Sequence, residues 1–152
     1  MSGFLEEQCR SSVKSVARSL WWDAPSATPI TSAPAALGPY SQAIRSGQFL
    51  FVSGQIPIDP ATGSLVSGTI ADQTRRALQN VGEILKAGGA SFQQVVRTTV
   101  YLADLADFPA MNDTYATFFD GISGPQPARS TIQAAKLPKD ARIEIDVIAY
   151  LG

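Results

Sequence analysis

An arginine and a glutamate near the end of the chain are the residues whose types and positions could do chemistry. Residues 127–150 read PARSTIQAAKLPKDARIEIDVIAY, a pattern that predicts two short strands joined by a proline-containing loop. Arg129 opens the first of these strands, where its guanidinium could bind a carboxylate through two parallel hydrogen bonds. The alternative for Arg129 is a surface or interface ion pair, which the spacing alone favours.

The role of Glu144 depends on what covers one side of the predicted sheet. Glu144 alternates with Ile143 and Ile145, so it points away from the face that those isoleucines bury. If solvent covers that side, Glu144 is an ordinary solvated charge that shares a wet face with Arg142 and Asp146. If a partner subunit covers it, the carboxylate enters an interface, where it needs a partner or a function.

Four further residues are candidates for the same site, each with a structural alternative. Tyr40 in the GPYSQ segment could wall a pocket and offer its hydroxyl, or be a half-buried tyrosine at a strand entry. Ser53 and Gly54 in VSGQ end a strand, and the glycine lets backbone approach a ligand closely unless the two only form a β-bulge. Asn112 falls in the first turn of a predicted helix, where it could also cap the helix or bind solvent.

The composition excludes the most familiar catalytic groups. The chain of 152 residues contains no histidine, which rules out a Ser-His-Asp triad, an HExxH zinc site and a histidine general base. Its single cysteine, Cys9, cannot form a disulfide within the chain, and no phosphate-binding glycine motif occurs. An enzyme with this sequence must work with arginine, carboxylates, hydroxyls, lysine, backbone groups and water.

Charge and hydropathy indicate a soluble globular protein. The net charge of −1 gives no basic footprint, so nucleic acid is not an expected partner. Apolar runs such as residues 49–52 are far shorter than the roughly 20 residues that a membrane helix needs. Residues 1–30 form an N-terminal extension, in which Arg10, Lys14 and Arg18 share a helical face. This extension is an accessory segment of a cytoplasmic protein or, alternatively, a presequence for a mitochondrion or plastid.

The domain that positions the candidate residues is predicted to span residues 31–152. A Pro/Ala/Ser-rich stretch at 23–38, which overlaps the start of this domain, is interpreted as a linker. Its element order is ββαβαββ, an α+β fold with two helices on one face of a mixed sheet. The predicted elements are a hairpin turning at Ser46-Gly47, helices at about 70–87 and 109–119, and strands at about 95–103, 128–133 and 142–151. Thr69 and Asp72 predict the cap of the first helix, and Gly88-Gly89 its end.

The predicted sheet has apolar residues on both of its faces, notably at 49–52 and 95–102. Two helices cover only one face, and large exposed apolar patches are rare in monomers. Self-association is the simplest cover for the second face, and Trp21 and Trp22 of the extension are another.

Five segments together resemble the RidA family, the reactive-intermediate deaminases of the YjgF superfamily. They are APAALGPYSQAI, FVSGQIPIDPATG, ALQNVGEILKAGG, VVRTTVYLADLADFPAMNDTYATFF and PARSTIQAAKLPKDARIEIDVIAY. The resemblance extends from about residue 31 to the C-terminus and leaves out residues 1–30. Thr131 stands where bacterial members often have cysteine, so no thiol chemistry is assigned there.

The resemblance implies a chorismate-mutase-like fold, a homotrimer whose sheets line a central barrel, and three sites in clefts between subunits. It implies hydrolysis of the enamines and imines that pyridoxal-phosphate enzymes release, such as 2-aminoacrylate and 2-aminocrotonate, to a 2-oxo acid and ammonia. No metal or cofactor takes part in this family chemistry.

The resemblance also assigns a role to each candidate. Arg129 would clamp the substrate carboxylate, and Glu144 would orient the attacking water or relay a proton. Tyr40 would close the pocket across the subunit boundary, Ser53 and the Gly54 backbone would contact the amine or the water, and Asn112 would support the site.

Three alternatives remain open on the sequence. The first is a non-catalytic trimer that binds small carboxylates or regulates a partner. The second is an RNA-directed translation inhibitor or ribonuclease, which the net charge and the missing histidine disfavour. The third is a chaperone-like holding activity that would use exposed apolar surface such as Trp21 and Trp22.

Overall fold

A computed structural model of the chain describes residues 25–27, 30–36 and 38–152. The predictions for the basic helical face at residues 10–18 and for Trp21 and Trp22 lie outside these residues. Among the described residues, no helix is both long enough and apolar enough to cross a membrane.

A six-stranded sheet carries two helices, which confirms the predicted α+β architecture. The elements are β1 (Ser26–Ala27), β2 (Ala43–Ser46), β3 (Phe49–Gln55), α1 (Ile70–Ala87), β4 (Val95–Leu102), α2 (Phe108–Phe119), β5 (Ala128–Gln133) and β6 (Ile143–Tyr150). The spatial order of the strands is β1-β2-β3-β6-β4-β5. The β4–β5 pair is parallel and every other pair is antiparallel, so the sheet is mixed as predicted.

The segment predicted as a linker is part of the folded structure instead. Its strand β1 pairs with β2, with Ser26 opposite Arg45 and Ala27 opposite Ile44. Ala33 is buried in the core, and the Gln42 side chain donates a hydrogen bond of 2.6 Å to the carbonyl of Pro34. The sequence did not indicate this strand, because its two residues lie in a proline-rich stretch and form a strand only by pairing with the edge of β2. The domain boundary at residue 31 stays a prediction.

Helix α1 follows its predicted signals closely. The Thr69 side chain accepts a hydrogen bond from the Asp72 backbone while the Asp72 side chain accepts one from Thr69, so the predicted capping box is present. The buried side of the helix includes five apolar residues: Ala77, Leu78, Val81, Ile84 and Leu85. Gly88 ends the helix with its backbone N–H bonded to the Ile84 carbonyl.

The two faces of the sheet differ sharply in what covers them. On β6 the alternate residues Ile143, Ile145, Val147 and Ala149 are buried in the same core as both helices. The opposite face, here called the open face, therefore carries Glu144, Asp146, Ile148 and Tyr150. Three aromatic rings of this face are about two-fifths exposed: Phe49 (43%), Phe51 (44%) and Tyr150 (41%). The prediction of a second apolar face is confirmed, and nothing within the described residues covers it.

Candidate active site

One group of predicted site residues lines a cleft on the open face. Tyr40, Ser53, Gly54 and Glu144 surround the same depression, together with Asp146. This glutamate cleft is defined here by those five residues. Tyr40 lies at its rim with 49% of its surface exposed. The sequence prediction that these residues share a site is compatible with this arrangement.

A bulge in β3 shapes the floor of the glutamate cleft. Val52 pairs with Val147 and Gln55 with Ile145, so Ser53 and Gly54 together lie opposite Asp146. The Ser53 hydroxyl donates a hydrogen bond of 2.7 Å to the Ser41 carbonyl, and its backbone N–H donates to the Gln42 carbonyl. These bonds tie the bulge to the segment that carries Tyr40. The bulge and the site are therefore not alternatives, because the bulge itself forms part of the cleft.

Gly54 is required because the Glu144 side chain packs directly on its backbone. A β-carbon at position 54 would overlap the Oε1 atom of Glu144 and would lie 2.8 Å from its carboxyl carbon. Any other residue would therefore push the carboxylate out of its place. The close approach also half-buries Glu144 on a sheet face where a solvated charge was the alternative.

Burial and a neighbouring charge favour a proton on Glu144. Desolvation raises the pKa of this carboxyl, and the nearby charge of Asp146 raises that pKa further. A carboxylate whose pKa is raised is a stronger base, which suits it to accept a proton from water. Arg142, predicted to share this face, instead directs its guanidinium to Asp107, with 2.7 Å between Nη2 and Oδ1.

A second group of residues surrounds Arg129 on the helix side of the sheet. Its Nη2 atom donates a hydrogen bond of 2.7 Å to Oδ1 of Asn112. The guanidinium carbon lies 4.6 Å from the ring centre of Tyr115 and 5.7 Å from that of Phe108, distances typical of cation–π contacts. This arginine cluster is defined here as Phe108, Asn112, Tyr115 and Arg129.

The arginine cluster holds the guanidinium in place without neutralising it. Among the described residues, no carboxylate forms an ion pair with Arg129. Asn112 takes up one of five N–H donors, which leaves donors for an anionic ligand. Burial raises the pKa of Tyr115 despite its hydrogen bond to Thr98 and the charge of Arg129, so the ring stays neutral beneath the cation. An unpaired arginine held this way is suited to a carboxylate.

Residues 108, 112 and 115 form one stripe of α2, and the sequence did not reveal it as a unit. Phe108 is exposed and Tyr115 is buried in the core, and both rings contact Arg129. Asn112 lies in the second turn of α2, not the first, and it binds Arg129 instead of capping the helix. Spacing of three and four residues could have revealed the stripe.

The glutamate cleft and the arginine cluster lie on opposite faces of the sheet. Arg129 is paired with Thr98, whose hydroxyl contacts the Tyr115 hydroxyl at 2.9 Å beneath α2. Glu144 is paired with Tyr101 on the open face. Strand β4 separates β5 from β6, so the two strands are roughly 10 Å apart. A small molecule therefore cannot touch the Arg129 and Glu144 side chains of a single chain at once.

The chain matches known proteins along most of its length. A family model described as Endoribonuclease L-PSP matches residues 30–151. The chloroplastic Reactive Intermediate Deaminase A of Arabidopsis thaliana is 55% identical over 119 residues, which cover 78% of this chain and 62% of that protein. The 2-iminobutanoate/2-iminopropanoate deaminase of Mus musculus is 48% identical over 122 residues, which cover 80% of this chain and 88% of that protein.

Solved structures agree with the sequence relatives. TdcF of E. coli, whose crystal structure was solved with bound serine, superposes with a TM-score of 0.78 at 41% identity. The match covers 82% of this chain and 98% of TdcF. The family model and these relatives agree with the resemblance seen in the five sequence segments. The chain belongs to the endoribonuclease L-PSP family, which is the YjgF/RidA family.

Proposed function

We propose that this protein is a hydrolytic deaminase of short 2-imino acids, including the imine forms of 2-aminoacrylate and 2-aminocrotonate. Its products are a 2-oxo acid and ammonia. The observation that carries the proposal is the pair of sites described above: an arginine held in place with no ion-pair partner among the described residues, and a half-buried carboxyl whose pKa burial raises. Relatives at 48% and 55% identity bear deaminase names, and serine, bound to TdcF, has a carboxylate and an amino group on one carbon as its core.

The active site is completed between two copies of the chain. Arg129 and Glu144 lie on opposite faces of one subunit, so the substrate meets Arg129 of one copy and Glu144 of the next. The uncovered aromatic residues of the open face support an assembly in which that face is buried. A homotrimer with the sheets around a central barrel satisfies both requirements and gives three equivalent sites.

The chemistry needs positioning and a proton shuttle. Arg129 holds the substrate carboxylate, which places the imine carbon beside a water molecule on Glu144. Glu144 takes a proton from that water as the oxygen bonds to the carbon of the protonated imine, giving a neutral carbinolamine. Glu144 then returns the proton to the amino group. The C–N bond breaks as the C=O bond forms, and the hydroxyl proton leaves with the ammonia as ammonium.

The remaining candidates position these groups. Gly54 admits the Glu144 carboxylate, and Ser53 and the Gly54 backbone face the amine or the water. Asn112 holds Arg129 in its binding orientation. Tyr40 closes the cleft at the subunit boundary, which agrees with its place at the exposed rim.

The partners follow from the chemistry of the substrate. Unsaturated amino acids of this kind arise when pyridoxal-phosphate enzymes eliminate water from serine or threonine, so a functional link to such enzymes is proposed. No metal or cofactor is assigned to the reaction. The protein is proposed to act in the cytoplasm, or in a mitochondrion or plastid if residues 1–30 serve as a presequence.

The family description carries a second candidate function, cleavage of RNA. The chain has a net charge of −1 and no histidine, and its cleft contains two carboxylates, a composition poorly suited to a polyanion. Cleavage of a labelled RNA that Glu144→Gln abolishes would favour this candidate. A carboxylate-binding role without turnover is separated from the deaminase by whether ammonia is released.

The test of the proposed function uses imine that a second enzyme generates in the assay mixture. A pyridoxal-phosphate serine or threonine dehydratase generates the imine, and semicarbazide competes for it with water. We expect the protein to increase 2-oxo acid and ammonia formation and to decrease semicarbazone formation. An equal semicarbazone yield with and without the protein, for both imines, would contradict the deaminase proposal.

Gly54→Ala is expected to lower kcat/KM in this assay by about tenfold or more, since a near-attack geometry tolerates little displacement. The added methyl group collides with the Glu144 carboxylate and forces it to turn away. Gly82→Ala is the matched control, because it adds the same methyl group on α1, where Phe92 is the nearest contact. Full activity of Gly54→Ala would show that the Glu144 position does not matter.

A further inference from the structure

A tyrosine and a second carboxylate flank Glu144 on the open face, and the sequence analysis gave the tyrosine no function. Tyr101 lies directly opposite Glu144 in the β4–β6 pairing. Its hydroxyl donates a hydrogen bond of 3.1 Å to Oδ2 of Asp146. Asp146 is two residues beyond Glu144 on the same strand and lines the same cleft.

This hydrogen bond fixes where the charge of Asp146 lies. Half-buried on the sheet, the Asp146 carboxylate is held toward Tyr101 and remains beside Glu144. The same environment affects the tyrosine: desolvation, followed by the charges of Asp146 and Glu144, raises the pKa of Tyr101. Tyr101 therefore remains a neutral hydrogen-bond donor to Asp146.

No other charge within the described residues of the subunit acts on Glu144 from this cleft. Strand β3 contributes Ser53 and Gly54, which are uncharged, and the segment before β2 contributes Tyr40. Asp146 is the one charged group that affects the Glu144 pKa among the described residues. In the proposed assembly, Arg129 of the neighbouring copy also approaches Glu144, with the opposite sign.

We propose that Tyr101 and Asp146 form a positioning pair for Glu144, in which the Tyr101 hydroxyl anchors the Asp146 carboxylate beside Glu144 in the glutamate cleft. The role of this pair in hydrolysis rests on the proposed function, whereas the contacts themselves lie within one subunit. Hydrolysis requires Glu144 to accept a proton and then return it. The neighbouring negative charge of Asp146 disfavours the ionised form of Glu144, so it makes Glu144 a better acceptor for the proton of the attacking water.

The direct test is a titration of Glu144 in the intact protein by carbon-13 NMR. The chain has four glutamates, so labelling the glutamate carboxyl carbons gives four signals at most, and Glu144→Gln identifies one of them. We expect the Glu144 midpoint to lie above those of the other glutamates. Asp146→Asn removes the neighbouring negative charge, so the ionised form becomes easier to reach and the midpoint moves to lower pH.

Tyr101→Phe tests whether the tyrosine acts through Asp146. Without the hydroxyl, the Asp146 carboxylate turns toward solvent, so the midpoint of Glu144 moves to lower pH by less than in Asp146→Asn. We expect the double variant to have the same Glu144 midpoint as Asp146→Asn alone, because Tyr101 then has no carboxylate to anchor. Additive shifts would contradict the anchoring role.

Asp59→Asn is the matched control, since it removes one carboxylate from a turn outside the cleft while keeping the side-chain acceptor for the Ala61 N–H. The inference is wrong if the Glu144 midpoint is the same in Asp146→Asn as in Asp59→Asn. Failure of the deaminase assay with an intact NMR shift would overturn the proposed function alone. If the deaminase assay and the NMR shift both give the expected result, the pH profile of kcat/KM of Asp146→Asn is expected to move to lower pH in parallel with the NMR midpoint.

Discussion

Arg129→Ala is expected to lower kcat/KM for imine hydrolysis by about 100- to 1000-fold. Two charge-assisted hydrogen bonds to the substrate carboxylate are together worth about 3–4 kcal/mol, which corresponds to this loss in rate. The structure supports a large effect because Asn112 and the Tyr115 ring already hold the guanidinium, so little side-chain entropy is lost on binding. The semicarbazide competition assay, run with saturating dehydratase, measures the change.

Two further variants separate the fork geometry from the charge alone. Arg129→Lys keeps a positive charge but cannot form the bidentate pair, so its activity is expected to lie between those of the wild type and Arg129→Ala. Arg45→Ala is the matched control, because Arg45 is exposed and, among the described residues, its guanidinium bonds the nearby Gly47 carbonyl. If Arg129→Ala keeps activity within about threefold of the wild type, Arg129 is not the carboxylate clamp.

The local patterns of the sequence predict most of the fold. The alternation of Ile143, Glu144 and Ile145 correctly gives two faces to β6, and Thr69 with Asp72 correctly caps α1. Both signals depend on neighbours within a few residues. Strand β1 escaped prediction because two residues in a proline-rich stretch have no pattern of their own and become a strand only by pairing with β2.

The site is harder to predict because it depends on long-range pairing. Arg129 follows a loop and lies in the edge strand β5, whose burial does not alternate clearly. Only its pairing with Thr98 shows that its side chain lies under α2, away from Glu144. Tyr101 becomes a neighbour of Glu144 and Asp146 through the β4–β6 register, across more than 40 residues of chain. The residue types of the site were readable from the sequence, but its division between two faces was not.

This division predicts that two inactive variants restore each other. Glu144→Gln keeps the shape of the side chain but cannot carry a proton, so kcat should fall by about 100- to 10,000-fold. Arg129→Ala is inactive for a different reason, and each variant retains the group that the other lacks. If one site takes Arg129 from one copy and Glu144 from the next, mixed assemblies contain some sites with both groups intact.

The arithmetic of a closed ring sets the expected recovery. In assemblies formed at random from equal amounts of the two variants, about a quarter of the sites pair an intact Arg129 with an intact Glu144. Co-expression with two different tags, followed by purification through both, isolates the mixed assemblies for the imine assay, and about one site in three of a mixed homotrimer is expected to be intact.

A site built within one copy gives a different set of results. Mixing Arg129→Ala with Glu144→Gln would then restore nothing, because every copy carries one defect. The double variant mixed equally with wild type sharpens the comparison: a site shared between copies leaves about a quarter of the activity, whereas a site within one copy leaves about half. No recovery in the first mixture, together with half activity in the second, would contradict the shared site. That outcome would require Arg129 to reach the open face of its own subunit, past β4 and out of its contacts with Asn112 and Tyr115.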